Sequence, residues 1–269
     1  MNSPSSTRFV LLGGSFNDRL NSNIVEQIVN EAGGTDGARI VIVPSASTIP
    51  EKLAEKYRKA FIRFSPKSID ILNIRSPEEA ESIPNNEKLK QATAVVFTGG
   101  DQLRLVNTLS GTRFLNTLFQ LAKNGLIICG SSAGAMALGD PTIMRGRPKG
   151  MINLTELVVQ PGFGILKQMI VETHLSQRNR FSRLFQAVSQ TKAALGLGLD
   201  EDTGVVITRN NVIKALGNGT VVILDGRNIT YFNTEPDSRQ SFAVSDIRVH
   251  LLRAGNGFDI ESSQFVITA

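Results

Sequence analysis

Short uninterrupted apolar runs alternate along the first part of the chain with segments whose apolar residues recur every three or four positions. Phe9-Val10-Leu11-Leu12 is a run of the first kind and ends in Gly13-Gly14. Ile24, Val25, Ile28, Val29 and Ala32 then fall on one face of a helix that Gly33-Gly34 stops. Ile40-Val41-Ile42-Val43 is a second strand, closed by Pro44, and Leu53, Tyr57 and Phe61, spaced four apart, mark a second helix. Residues 69–74 and Ala94-Val95-Val96-Phe97 read as the third and fourth strands. Phe114, Leu115, Leu118, Phe119 and Ala122 form another helical face ahead of Gly125, and Leu126-Ile127-Ile128-Cys129 is the fifth strand.

This alternation predicts a parallel sheet with helices on both faces. The strands are continuously apolar, as strands covered on both sides must be. Ligands of such sheets bind outside the carboxyl ends of the strands. Three of those ends carry small residues: Gly13-Gly14-Ser15, Gly99-Gly100-Asp101 and Gly130-Ser131-Ser132. From residue 195 the texture changes. Short runs at 205–207, 212–216, 221–224 and 229–231 are separated by Asn210-Asn211, Gly217-Asn218-Gly219 and Gly226, which reads as antiparallel hairpins. A last strand is expected over 247–252. With no linker, repeat or low-complexity tract, the expectation is one α/β domain over residues 1–269. It has a mostly parallel central sheet flanked by helices, with antiparallel hairpins toward the C-terminus.

Composition narrows the chemistry. A chain of 269 residues can bury roughly 70–75% of its unfolded surface and needs no staples. One Cys excludes an internal disulfide framework, and one Cys with two His is too few for a zinc site, although an oxygen-ligand cation site stays open. The formal charge of +5 comes with no run of five like charges, so no nucleic-acid tail is expected. No apolar stretch approaches the ~20 residues of a membrane span. Residues 1–7 lack a cationic, apolar leader, so a cytoplasmic protein is expected. Neither Gly13-Gly14 nor Gly99-Gly100 completes a dinucleotide or P-loop fingerprint, and no metal or cofactor is expected.

Gly130-Ser131-Ser132-Ala133-Gly134 fits G-x-S-x-G, with a strand before it and a helix-compatible Ala-Met-Ala-Leu segment after it. A nucleophile elbow needs that order, because the serine sits on a tight strand-to-helix turn and the glycines leave room for the backbone. Ser132 holds the central position. The Ala133 N–H is placed to donate to an oxyanion. Amidotransferase-like sheets carry cysteine at the elbow; here Cys129 lies three residues earlier and reads as a small buried hydrophobe.

A serine nucleophile needs a base, and only two histidines exist. His250 lies inside the apolar run Val249-His250-Leu251-Leu252 and reads as a strand residue. His174, in Glu172-Thr173-His174-Leu175-Ser176-Gln177, lies in a polar segment suited to a base. A carboxylate must orient the imidazole. Asp200-Glu201-Asp202 follows an apolar run, and the residues alone do not choose among the three. Arg178, Arg180 and Arg183 follow His174; their forks suit carboxylates, and a solvated helix face is the plainer alternative.

Together these stretches resemble the cyanophycinase family within the peptidase E-like serine exopeptidases. The resemblance is carried by Gly13-Gly14, Phe97-Thr98-Gly99-Gly100-Asp101-Gln102 and Cys129-Gly130-Ser131-Ser132-Ala133-Gly134-Ala135. His174 with Arg178-Asn179-Arg180 and Arg183-Leu184 continues it, followed by residues 196–203, His250-Leu251-Leu252 and Gly257-Phe258-Asp259. It implies a class-I-amidotransferase-like, peptidase E-like fold, a Ser132–His174–Glu201 triad, and oxyanion N–H groups from Gly100 and Ala133. It also implies a substrate pocket of Gln102, Glu172, Thr173, Arg178, Arg180 and Arg183. The implied substrate is cyanophycin, a poly-aspartate with arginine on each β-carboxyl, cut to β-Asp-Arg dipeptides by a cytoplasmic homodimer. Family members that degrade the polymer typically show Asp-Gln where this chain has Glu172-Thr173, and often Thr at Ser131. The first departure brings in a second expectation, a peptidase of short aspartyl or isoaspartyl peptides. A non-catalytic binding protein on the same scaffold is the third.

Overall fold

The computed structural model describes residues 7–15, 22–146, 157–191, 193–233 and 243–268. Its first half supplies strands β1 Thr7–Leu12, β2 Arg39–Val43, β3 Ser68–Ile71, β4 Ala94–Phe97 and β5 Ile127–Ser131. Between them lie helices α1 Ser22–Glu31, α2 Gly34–Gly37, α3 Pro50–Ile62, α4 Pro77–Ala80, α5 Ile83–Lys90, α6 Gln102–Leu109 and α7 Arg113–Lys123. Local chemistry sets several starts. Pro50 opens α3, the Asp101 carboxylate accepts from the Leu103 and Arg104 N–H groups at the head of α6, and Thr112 accepts from the Leu115 N–H at the head of α7.

The second half continues with α8 Ala133–Leu138, β6 Gly139–Asp140, β7 Thr142–Arg145, β8 Val158–Gln160, β9 Leu166–Lys167, β10 Met169–Thr173, α9 Phe181–Thr191 and β11 Leu195–Leu199. It ends in β12 Thr203–Thr208, β13 Val212–Gly217, β14 Val221–Asp225, β15 Tyr231–Asn233, β16 Ala243–Ser245, β17 Arg248–Leu252, β18 Asn256–Asp259 and β19 Gln264–Ile267.

One sheet has nine strands in the order β19-β18-β13-β12-β1-β5-β4-β2-β3. From β1 to β3 every pairing is parallel, because helical crossovers return the chain to the same end each time. From β1 to β19 every pairing is antiparallel. A second sheet of six strands, β17-β14-β11-β10-β6-β9, was not visible in the sequence pattern. Within it β10 and β11 run parallel, with α9 as their crossover.

The expected hairpins hold for β12–β13, whereas β14 pairs with β11 and β17 in the other sheet. The Gly217-Asn218-Gly219 turn therefore hands the chain from one sheet to the other, tied by the Asn218 N–H to the Asp202 carbonyl. The third strand stops at Ile71, although Leu72 and Ile74 stay buried beyond it.

Alternation along β1 explains the layers. Val10 and Leu12 pack with α1 and α3, while Phe9 and Leu11 pack with α6, α7, α8 and the inner face of the second sheet. Phe97, Phe114, Phe61 and Phe258 are almost fully sealed, each contributing about 1.5–3 kcal/mol by burial. A third cluster packs α9 on the outer face of the second sheet. Among the described residues no helix is long and apolar enough to cross a membrane.

Candidate active site

The carboxyl ends of five strands, drawn from both sheets, converge on one place. Backbone bonds fix the convergence: the Ser132 N–H donates to the Leu12 carbonyl at 2.9 Å and the His174 N–H to the Gly13 carbonyl at 2.8 Å. The Gly13 N–H donates to Thr203 at 2.9 Å and the Leu175 N–H to Leu199 at 3.1 Å. Residues 12 and 13 thus hold the segment after β5 and the segment after β10 side by side.

Ser132 has φ 52° and ψ −118°, the strained turn expected of an elbow, between β5 and α8. Two glycines make the geometry feasible. A Cβ on Gly134 would lie 2.3 Å from the Phe97 carbonyl oxygen, so only glycine lets the elbow sit against β4. A Cβ on Gly14, which also has φ 116°, would lie 2.2 Å from the His174 ring. The end of β4 borders the serine closely, since a Cβ on Gly99 would be 3.4 Å from Ser132 Cβ. Gly100 follows at that strand end, and Ala133 is the first residue of α8.

Ser132 Oγ lies 2.9 Å from His174 Nε2, and His174 Nδ1 lies 2.5 Å from Glu201 Oε1. With its proton on Nδ1, the ring donates to the carboxylate and leaves the Nε2 lone pair for the serine hydroxyl. Burial lowers the His174 pKa from its usual value; the bond to Glu201 opposes this, and the charges of Arg178 and Arg180 add to it. Glu201 is held below the usual carboxylate range, first by a hydrogen bond from Ser15 and then by His174. Both shifts favour a neutral imidazole beside an ionised carboxylate.

The structure separates the three acids that the sequence left equivalent. Asp200 accepts from the Ser176 and Thr220 N–H groups at 2.9 and 3.1 Å, which makes it a backbone clamp. Asp202 accepts from Asn218 Nδ2 at 2.6 Å. Only Glu201 reaches the imidazole, and its own N–H donates to Gln177 Oε1 at 3.0 Å. Ser15 and Gln177 were missed as site residues. Ser15 stood in a strand-end triplet already singled out, while nothing in its spacing marked Gln177.

The arginine cluster is organised around Glu172, whose side chain is 0% exposed. Arg183 Nε and Nη2 donate to Glu172 Oε2 and Oε1 at 2.5 and 2.7 Å. Arg180 Nη1 donates to Glu172 Oε1 and to the Thr173 carbonyl, both at 3.0 Å. Glu172 was expected to face the pocket; its oxygens instead face this chain's own arginines, because two guanidiniums in the interior need a counter-charge. Thr173 is also sealed, its Oγ1 without a hydrogen-bond partner among the described residues. Arg183 Nη1 and Gln102 Nε2 both grip the β7 segment, at the Gly146 and Ile143 carbonyls, 3.0 and 2.7 Å away. Arg178 is exposed and Arg180 partly so. Arg178 is thus open to solvent near His174, whereas Arg180 reaches solvent only in part.

Residues 9–215 match peptidase family S51, a span that includes Ser132, His174 and Glu201. The chain belongs to peptidase family S51. Among its relatives are a cyanophycinase of Geminocystis herdmanii (strain PCC 6308), 33% identical over 257 residues, 95% of this chain and 94% of that protein. A cyanophycinase of Trichormus variabilis (strain ATCC 29413 / PCC 7937) is 33% identical over 264 residues, 97% and 88% of the two chains. In fold it is similar to the crystal structure of a peptidase from an acI-B1 Actinobacterium, with a TM-score of 0.69 at 20% identity over 93% of this chain and 96% of that one. A putative peptidase E of Listeria monocytogenes EGD-e has a TM-score of 0.55 at 17% identity, over 78% and 98%. This S51 member is therefore a hydrolase of the peptidase class, on a peptidase E-like scaffold.

The remaining candidates of the S51 chain lie apart from this place. His250 is on β17, its ring 4.8 Å from that of Phe258. Cys129 is buried on the α1–α3 side of the sheet, and burial pushes its thiol pKa up, which suits packing and not chemistry.

Proposed function

We propose that this S51 peptidase is a serine-type exopeptidase that hydrolyses cyanophycin, multi-L-arginyl-poly-L-aspartate, and releases β-Asp-Arg dipeptides, working as a cytoplasmic homodimer. The observation that carries the reading is the Ser132–His174–Glu201 relay, with links of 2.9 and 2.5 Å. His174 Nε2 takes the Ser132 proton as Oγ attacks a backbone amide carbonyl of the substrate. The Gly100 and Ala133 N–H groups receive the oxyanion. The C–N bond breaks, and the amine leaves with the proton from the imidazolium. Water, deprotonated by the same imidazole, then releases the acyl group and restores Ser132. Glu201 holds the ring and balances its transient charge. Arg178 and Arg180 meet substrate carboxylates, while Glu172 keeps Arg180 and Arg183 in place.

The test is product analysis after incubation with purified cyanophycin. Release of β-Asp-Arg by the wild type and none by Ser132→Ala is expected; equal release by both would reject the assignment.

The sealed Glu172 also favours a second reading, cleavage of short aspartyl or isoaspartyl peptides. A carboxylate saturated by its own arginines offers nothing to an arginyl side chain of the polymer. A higher kcat/KM on such dipeptides than on cyanophycin would select it.

A further inference from the structure

Tyr57 lies on α3, well outside the relay, and its side chain is buried with 1% exposure. It shares one buried cluster with Val96 and Cys129, on the strands that lead into Gly99 and the sealed Ser131, and its hydroxyl hydrogen-bonds the Ser131 side chain and the Gly99 backbone. Packing alone does not require that oxygen. Ala54, Ala60 and Phe61 on the same helix face join the cluster through apolar contact only. A buried phenol costs stability unless its hydroxyl finds a partner, whereas phenylalanine fills nearly the same volume with no group to satisfy.

The two partners sit next to the two functional segments. Ser131 immediately precedes Ser132, and Gly99 immediately precedes Gly100. The β4–β5 ladder ends at the pair Phe97 and Gly130, so both segments run past the last register pair joining those strands. Beyond that point the Tyr57 hydroxyl bridges them. The far side of Gly100 is also held: the Asp101 N–H donates to the Ala46 carbonyl at 2.9 Å, and a Cβ on Gly100 would lie 2.2 Å from that carbonyl oxygen. The Gly100 peptide is thus clamped on one side by Ala46 and tied on the other, through Gly99, to Tyr57. Burial raises the phenol pKa while both hydrogen bonds lower it, as bonds donated to the phenol oxygen do.

We propose that Tyr57 is a positioning residue for the reaction, setting the distance between the Ser132 nucleophile and the Gly100 oxyanion donor. The proposal rests on the serine-peptidase reading of the preceding section. It acts through Ser131 and Gly99 and touches no substrate. An oxyanion donor displaced by a few tenths of an ångström loses strength chiefly in the transition state, so the effect falls on kcat.

Two variants test it. Tyr57→Phe keeps the ring and removes the oxygen; Ser131→Ala removes one partner and leaves the ring untouched. Each should lower kcat about tenfold at an unchanged KM, and the double variant should lose no more than either alone. Ser131→Thr, which restores a hydroxyl, should stay close to wild type. The rate of Ser132 labelling by a small fluorophosphonate, which needs no peptide substrate, should fall in parallel. Melting temperatures measured alongside should agree within a few degrees. Wild-type kcat and labelling rate in Tyr57→Phe, or losses that simply add in the double variant, would overturn the role. A wild-type protein that labels at Ser132 but releases no dipeptide counts against the cyanophycin assignment alone, and the labelling rates still decide on Tyr57. A wild type that never labels overturns the serine reading and Tyr57 with it.

Discussion

Glu172 and Arg183 form a fork-to-fork pair with both side chains shut away from solvent, the carboxylate completely and the guanidinium to 8%. Arg180 shares the same carboxylate. Removing the acid leaves two cations facing each other in a poorly solvated place. Glu172→Ala should therefore destabilise the fold by about 3–5 kcal/mol. Urea denaturation measures this, and a loss below ~1 kcal/mol would show that water reaches the arginines.

The acid limb of the pH profile should lie below the ordinary imidazole value. As the proposed base, His174 must be neutral to accept the serine proton, so kcat/KM should fall as pH drops through its pKa. Burial, Arg178 and Arg180 all lower that pKa from 6.5, against the pull of Glu201. Arg178→Ala removes one lowering charge, so its limb should move up toward pH 6.5. A limb above 6.5 in the wild type, or one that moves down in the variant, would contradict the electrostatics.

The relay predicts unequal losses. Ser132→Ala removes the proposed nucleophile and should cost roughly a thousandfold or more in kcat on the proposed polymer substrate. Glu201→Gln leaves the shape but presents an amide where the ring needs an acceptor, and should cost roughly a hundredfold or more. Asp200→Asn should lower stability more than kcat, because Asp200 clamps the Ser176 and Thr220 N–H groups and not the ring. Comparing kcat with urea midpoints for the three variants separates these roles.

Gly14→Ala tests the packing of the base. The new methyl group would start 2.2–2.3 Å from His174 Cε1 and Nε2, at a backbone φ of 116° that alanine resists. The imidazole must swing away, so activity should fall at least tenfold with the serine still in place. A variant as active as the wild type would mean that the ring does not work from this position.

Much of the fold was legible because it is local. The five parallel strands and three of the helices between them, α1, α3 and α7, follow from apolar runs and three-to-four spacing, and the elbow follows from small residues after the fifth strand. Scarcity of histidine singled out His174. Glu201 was not legible from the residues alone: Asp200, Glu201 and Asp202 look alike in one dimension, and only the resemblance preferred one. The six-stranded sheet was also hidden. Its members β6, β9, β10, β11, β14 and β17 are spread over more than a hundred residues, and strand pairing over such distances leaves no periodic mark.

What the sequence determined by itself, then, is the alternating strands and main helices of the first half and which few side chains carry reactive groups, since both depend on residue type and short-range spacing. What the tertiary structure alone decided is who faces whom. Glu172 turns inward to Arg180 and Arg183, Gly14 makes room for the His174 ring, and Tyr57 meets Ser131 and Gly99. Each of these depends on close packing between elements, where a few tenths of an ångström separate contact from clash.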